Sequence, residues 1–202
     1  MEEEAVPEWE GPSRAMQRLA RKRHRGSPWN TALKFIIGAV VVAAVAHEFQ
    51  ARVYERRLNE AIQEVSWRSE LTVNCRRVWT EALDFRGKPG FVYWGATEAQ
   101  VQIDVCHNAW RWQSDPTNAN HQEGLLIVAH ELAHLVGHFD ESETECVAMW
   151  VAPDLAVALG GTREDGLAAA AWHQEHVNPK LPFEYQAPGC LAGSEPRSAL
   201  LR

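Results

Sequence analysis

Ile127-Val-Ala-His-Glu-Leu-Ala-His-Leu-Val-Gly-His-Phe-Asp-Glu-Ser-Glu-Thr-Glu-Cys-Val-Ala-Met149 is the stretch on which the reading of this 202-residue chain turns. It holds His130-Glu131-Leu132-Ala133-His134, an H-E-x-x-H pattern, with Leu126, Ile127 and Val128 before it and Leu135 and Val136 after it. Such apolar flanks predict a buried helix. On a helix, positions i and i+4 share a face about 6 Å apart along the axis, so both imidazoles can reach one metal ion. Glu131 sits one residue round, where its carboxylate can take a proton from water on that metal. The pattern points to the zinc helix of a metallohydrolase.

H-E-x-x-H also arises by accident in buried helices, so the residues that follow decide. Gly137 is expected at the helix C′ position, free to take positive φ and stop the helix one turn past His134. The chain then turns through His138 and Phe139 and offers Asp140-Glu141-Ser142-Glu143-Thr144-Glu145 ahead of an apolar helix expected at Val147 to Ala152. A helix-turn-helix with carboxylates opposite two histidines is what a third ligand requires.

In these residues the chain resembles the zincin metallopeptidases, and within them the gluzincin type, in which a glutamate of the following helix completes the site. The downstream pattern of that type is E-x-x-A-D, and this chain has Glu141-Ser142-Glu143-Thr144-Glu145, with Thr144 for alanine and Glu145 for aspartate. The resemblance implies His130, His134 and Glu141 as metal ligands, Glu131 as catalytic base, Zn2+ as the metal, and Glu145 as the carboxylate that orients a ligand histidine. Residues 71–192 also resemble small extracytoplasmic proteins of actinobacteria, through D-E-x-x-T-E-C after the motif and a Pro-Lys-Leu-Pro…Glu-Tyr…Cys tail. That wider likeness implies no substrate.

His130 to Asp140 fits a second spacing as well, H-E-x-x-H-x-x-G-x-x-D, which is that of the metzincins with Asp140 as third ligand. Metzincins also need a methionine turn beneath the metal, whereas Met149 is expected within a helix. Asp140 has a sufficient structural task as N-cap, with Glu143 at N3 closing a capping box. Glu141 is therefore the expected ligand, Asp140 the alternative, and His138 an exposed residue.

The rest of the chain gives the site its setting. Net charge is −7, with basic residues gathered near the N-terminus, which argues against nucleic acid as a partner. Residues 1–28 are acidic and then basic (Arg14, Arg18, Arg21, Lys22, Arg23, Arg25) and are expected to be a disordered cytoplasmic tail. Residues 29–46 follow as a nearly unbroken apolar run whose only charge is Lys34, expected to form a transmembrane signal anchor. The core of that run, Ala32 to Ala46, is short of the ~20 residues that span a bilayer comfortably, but Lys34 can snorkel and Trp29 can sit at the interface. The positive-inside rule puts the N-terminus in the cytoplasm and the remainder outside the cell membrane. Ala44-Val45-Ala46 has the A-x-A form of a signal-peptidase site, so secretion after cleavage at Ala46 is the alternative.

Residues 47–70 are expected as a helical stalk or as the first helix of the domain, with Phe49, Val53, Leu58, Ala61, Ile62 and Val65 along one side. Phe91 to Trp94 and Val101 to Cys106 read as short strands, Lys88-Pro89-Gly90 as a turn, and Ser114 to Asn118 as a loop into the metal helix. In zincins a small sheet precedes the metal helix, and its edge strand lines the substrate cleft. Gly160-Gly161-Thr162 breaks the chain, Thr162 capping a helix over Arg163 to His176, and residues 193–202 are expected to be a disordered tail. Cys75, Cys106, Cys146 and Cys190 all fall on the expected outer side and permit three pairings; Cys75 with Cys106 and Cys146 with Cys190 is the favoured one.

The expected fold is α+β: a zincin-like small sheet packed on a buried H-E-x-x-H helix and a following ligand helix, after one transmembrane helix. The expected function is that of a membrane-anchored extracytoplasmic zinc metallopeptidase acting on a protein or peptide substrate. A non-catalytic envelope protein with a structural zinc is the alternative. Tyr185, His173 and His176 are the candidates for stabilising an oxyanion.

Overall fold

The computed structural model describes residues 28–76 and 88–190. The chain divides into two compact units, Met1–His47 and Glu48–Arg202. Helix α1 (Pro28–Ser66) begins in the first and ends in the second. Pro28 opens it at a position where the missing N–H has no helical partner to lose. From Trp29 to Ala46 its residues, among them Phe35, Ile36, Val40 and Val42, are exposed. This is the one helix among the described residues long and apolar enough to cross a membrane. The expected tails over 1–28 and 193–202 lie, but for Pro28, outside the described residues.

In the second unit the same helix is not a stalk. Ala51, Leu58, Ala61, Ile62 and Val65 are buried in the core, so residues 48–66 form this unit's first helix. Phe49 and Val53, expected on that stripe, are exposed instead. Glu55 and Asn59 on α1 also close one edge of a sheet. Cys75 N–H donates to Glu55 Oε1 at 3.0 Å and Val73 N–H to Asn59 Oδ1 at 2.6 Å. Side-chain acceptors thus take the place of a further strand.

That sheet has three strands, β1 (Thr72–Arg76), β2 (Gly90–Val92) and β3 (Glu98–Gln102), in the order β1-β3-β2. β1 runs parallel to β3 and β2 antiparallel to it. β1 was not expected, although its buried Val73 and Cys75 alternate with half-buried Thr72 and Asn74. The strand expected over Val101 to Cys106 stops at Gln102, and the chain continues as α2 (Ile103–Arg111). The apolar residues there serve both periods: Ile103, Val105, Cys106 and Ala109 also share a helical face, and it is that face which is buried. The expected strand over Phe91 to Trp94 ends at Val92, with Trp94 and Gly95 (φ 73°) turning the chain towards β3.

α3 (Ala119–Leu135) is the motif helix, capped by Asn118 Oδ1 on the N–H groups of Asn120 and His121. Leu125, Leu126, Val128, Ala129, Leu132 and Ala133 are all buried, as a helix packed on several sides requires. α4 runs Glu141–Ala158 and α5 Arg163–His176, the latter capped by Thr162 as expected. The helix expected at Val147 to Ala152 is thus the middle of a longer one that already contains the carboxylate cluster. Disulfides join Cys75 to Cys106 and Cys146 to Cys190, the favoured pairing, with Cα atoms 6.1 and 5.5 Å apart. The described residues are mostly helical, with one small sheet beside the motif helix.

Candidate metal centre

The site is made by a helix stop and a helix start. α3 ends in a Schellman turn: Gly137 takes φ 111°, its N–H bonds to the His134 carbonyl, and the His138 N–H reaches back to Ala133. Asp140 then caps α4, its Oδ1 accepting from the Glu143 N–H at 2.9 Å. Only half of the expected capping box forms, because the Glu143 carboxylate lies 2.9 Å from His138 Nδ1. This short reversal brings the first residue of α4 over the histidine face of α3. Glu141 Oε2 stands 3.2 Å from both His130 Nε2 and His134 Nε2. The three ligand atoms all lie within 4.8 Å of one another.

The outer nitrogens of the two imidazoles are fixed. His130 Nδ1 lies 2.8 Å from Glu145 Oε2 and His134 Nδ1 lies 2.7 Å from the His138 carbonyl. Carboxylates and carbonyls only accept, so each ring carries its proton on Nδ1 and, when neutral, turns a bare Nε2 inwards. Two lone pairs then face one anionic oxygen, an arrangement that needs a cation between them. A proton meets this need in part. Burial lowers the His130 pKa, but hydrogen bonds to Glu141 and Glu145 outweigh it and raise it to about 9. His134 is lowered, by burial and then by the charge on His130. Zinc bonds of about 2.0–2.2 Å at tetrahedral angles set ligand atoms roughly 3.4 Å apart, and the donor set of two imidazoles and one carboxylate fits that ion.

Glu131, 4% exposed, lies on the cleft side of the same helix with Oε2 unpartnered among the described residues. Burial, offset by His130 and reinforced by Glu141, raises its pKa to about 7. Room for it comes from Gly90 at the start of β2, where a Cβ would fall 2.5 Å from Glu131 Oε1. A cleft of about 650 Å³ opens here, lined by β2 (Gly90, Phe91, Val92) and by Leu181, Pro182 and Tyr185 among others. The Tyr185 phenol is hydrogen-bonded to Glu141 and its pKa is pushed up to about 12, by burial first and then by that carboxylate's charge. Its ring lies 6.0 Å from that of His130.

The structure therefore brings His130, Glu131, His134, Glu141 and Glu145 together. Asp140, the alternative ligand, is outside the trio and engaged in capping, and Met149 is buried within α4. Of the oxyanion candidates, Tyr185 and His173 both line the cleft, His173 being buried and hydrogen-bonded to Glu145, and His176 is exposed and stacked on Trp172. Gly90 and a stack running from His134 through Phe139 to the exposed Trp94 were not anticipated. Nothing in the local sequence marks them, because each partner lies on another element. His138, expected to be exposed, is half-buried and its carbonyl orients His134. No family model, curated protein or solved structure matches this chain.

Proposed function

We propose that this chain is a membrane-anchored, extracytoplasmic zinc-dependent metallopeptidase of zincin-like, gluzincin-type design. The observation that carries the reading is the convergence of two Nδ1-anchored imidazoles and Glu141 on one point, with buried Glu131 beside it. Zinc, when bound, supplies Lewis acidity that polarises a carbonyl and acidifies water. His130, His134 and Glu141 hold it. Glu131, buried beside that point, accepts the proton of the attacking water and returns it to the leaving amine. The cleft beside β2 receives the peptide or protein substrate, and Tyr185 stands at its wall where a donor for the developing oxyanion is needed.

A structural zinc would take four protein ligands. The two candidates for a fourth are engaged elsewhere: Asp140 caps α4, and Glu145 sits between His130 and His173. That favours a site with a position left open for chemistry. Outside placement rests on the apolar helix behind a basic segment and on two disulfides in the domain. Peptide hydrolysis by the zinc-loaded protein, lost in Glu131→Gln with zinc retained, is the expected result. Undiminished hydrolysis by Glu131→Gln would refute the assigned role.

A further inference from the structure

His173 is 5% exposed on α5, and its Nε2 is hydrogen-bonded to Glu145 Oε1. The other oxygen of Glu145 takes His130 Nδ1 at 2.8 Å. One carboxylate on α4 is thus held between an imidazole of α3 and an imidazole of α5. Because the carboxylate only accepts, His173 donates through Nε2. Its Nδ1 is buried with no partner among the described residues, so Glu145 is its one hydrogen-bond contact there.

With His130 alone, Glu145 would keep one oxygen unpaired in a buried setting and could turn about its terminal torsion, which has no sharp minimum of its own. The second imidazole removes that freedom. The two helices also meet without His173: Gly166 of α5 packs against Pro153 and Ala156 of α4, and Arg163 Nη1 pairs with Asp154 Oδ1 across the same helix pair at 2.5 Å. We propose that His173 is a positioning residue: it clamps Glu145, which fixes the His130 ring and so aims His130 Nε2 at the metal. This rests on the metal-site reading above and extends it one residue outwards, to a side chain on α5.

The test uses the full-length protein in detergent, with zinc affinity measured by chelator competition and Co2+ loading read from its visible spectrum. His173→Phe keeps bulk but cannot donate, and is expected to weaken zinc binding by about 10–100-fold and to shift the cobalt bands. His173→Gln, whose amide can donate from a similar position, is expected to restore most of both. Asp154→Asn loosens the same helix pair without touching Glu145, and is expected to leave affinity and spectrum unchanged. Should His173→Phe not fold, His173→Asn, too short to reach Glu145, takes its place with the same expectation. Unchanged affinity and cobalt bands in the donor-less variant would overturn the proposal, as would an equal loss in Asp154→Asn. A wild type that binds neither metal would overturn the underlying reading, and the clamp with it.

Discussion

Glu131 and Gly90 show how a buried carboxylate can depend on a residue with no side chain. Adding one methyl group at Gly90 would place a carbon 2.5 Å from Glu131 Oε1, and that carboxylate is too buried to swing into solvent. Gly90→Ala is therefore expected to keep its zinc while losing about tenfold to a hundredfold in turnover, measured by metal analysis beside steady-state rates. The same burial makes a pH prediction for the metal-free protein. Glu131 is raised to about 7 in the fold and titrates near 4.5 when unfolded, so between those values the native state holds more protons. Stability then falls as pH rises from 4.5 to 7. His130, raised to about 9, adds stability that is present below 6.5 and lost as pH rises through 9. Chelator-treated Glu131→Gln should lack the first of these losses and be more stable than chelator-treated wild type at pH 8, by on the order of 1–3 kcal/mol in urea melts. Equal stability of the two at pH 8 would show that Glu131 ionises freely in the fold.

At the scale of elements, what was legible in the sequence was whatever local chemistry dictates. Gly137 had to end α3, Asp140 and Thr162 had to cap helices, and the structure has all three where the residue types put them. The grouping of His130, His134 and Glu141 followed, since it needs only one helix, one stop and one start. What was not legible depended on partners distant in the chain. Val101 to Cys106 satisfies both the strand and the helix period, and only the end of pairing at Gln102 decides between them. His173 lies 28 residues from the glutamate it holds, and Gly90 lies 41 residues from Glu131. β1 is stabilised at its outer edge by side chains of α1, an arrangement with no sequence period at all. Asn59→Ala would leave the Val73 N–H without its acceptor and is expected to lower stability by about 1–3 kcal/mol, read as a shifted denaturation midpoint at unchanged slope. An unchanged midpoint would mean that water serves that edge equally well.

For the whole molecule, the apolar half of α1 and the disulfides bear on one question, whether the domain is exported. Reporter fusions after Ser27 and after Glu70 are expected to read cytoplasmic and extracytoplasmic respectively; a cytoplasmic signal at the second site would exclude the proposed topology. The central claim is that a zinc ion is held by His130, His134 and Glu141, and its most direct test is the metal content of the purified full-length protein and two single variants. About one zinc per chain is expected in the wild type and in Asp140→Ala, where only a helix cap worth ~0.5–2 kcal/mol is removed. Glu141→Ala should lose most of its zinc. Zinc retained by Glu141→Ala and lost by Asp140→Ala would contradict the account and make Asp140 the third ligand, and a wild type without zinc would contradict it outright.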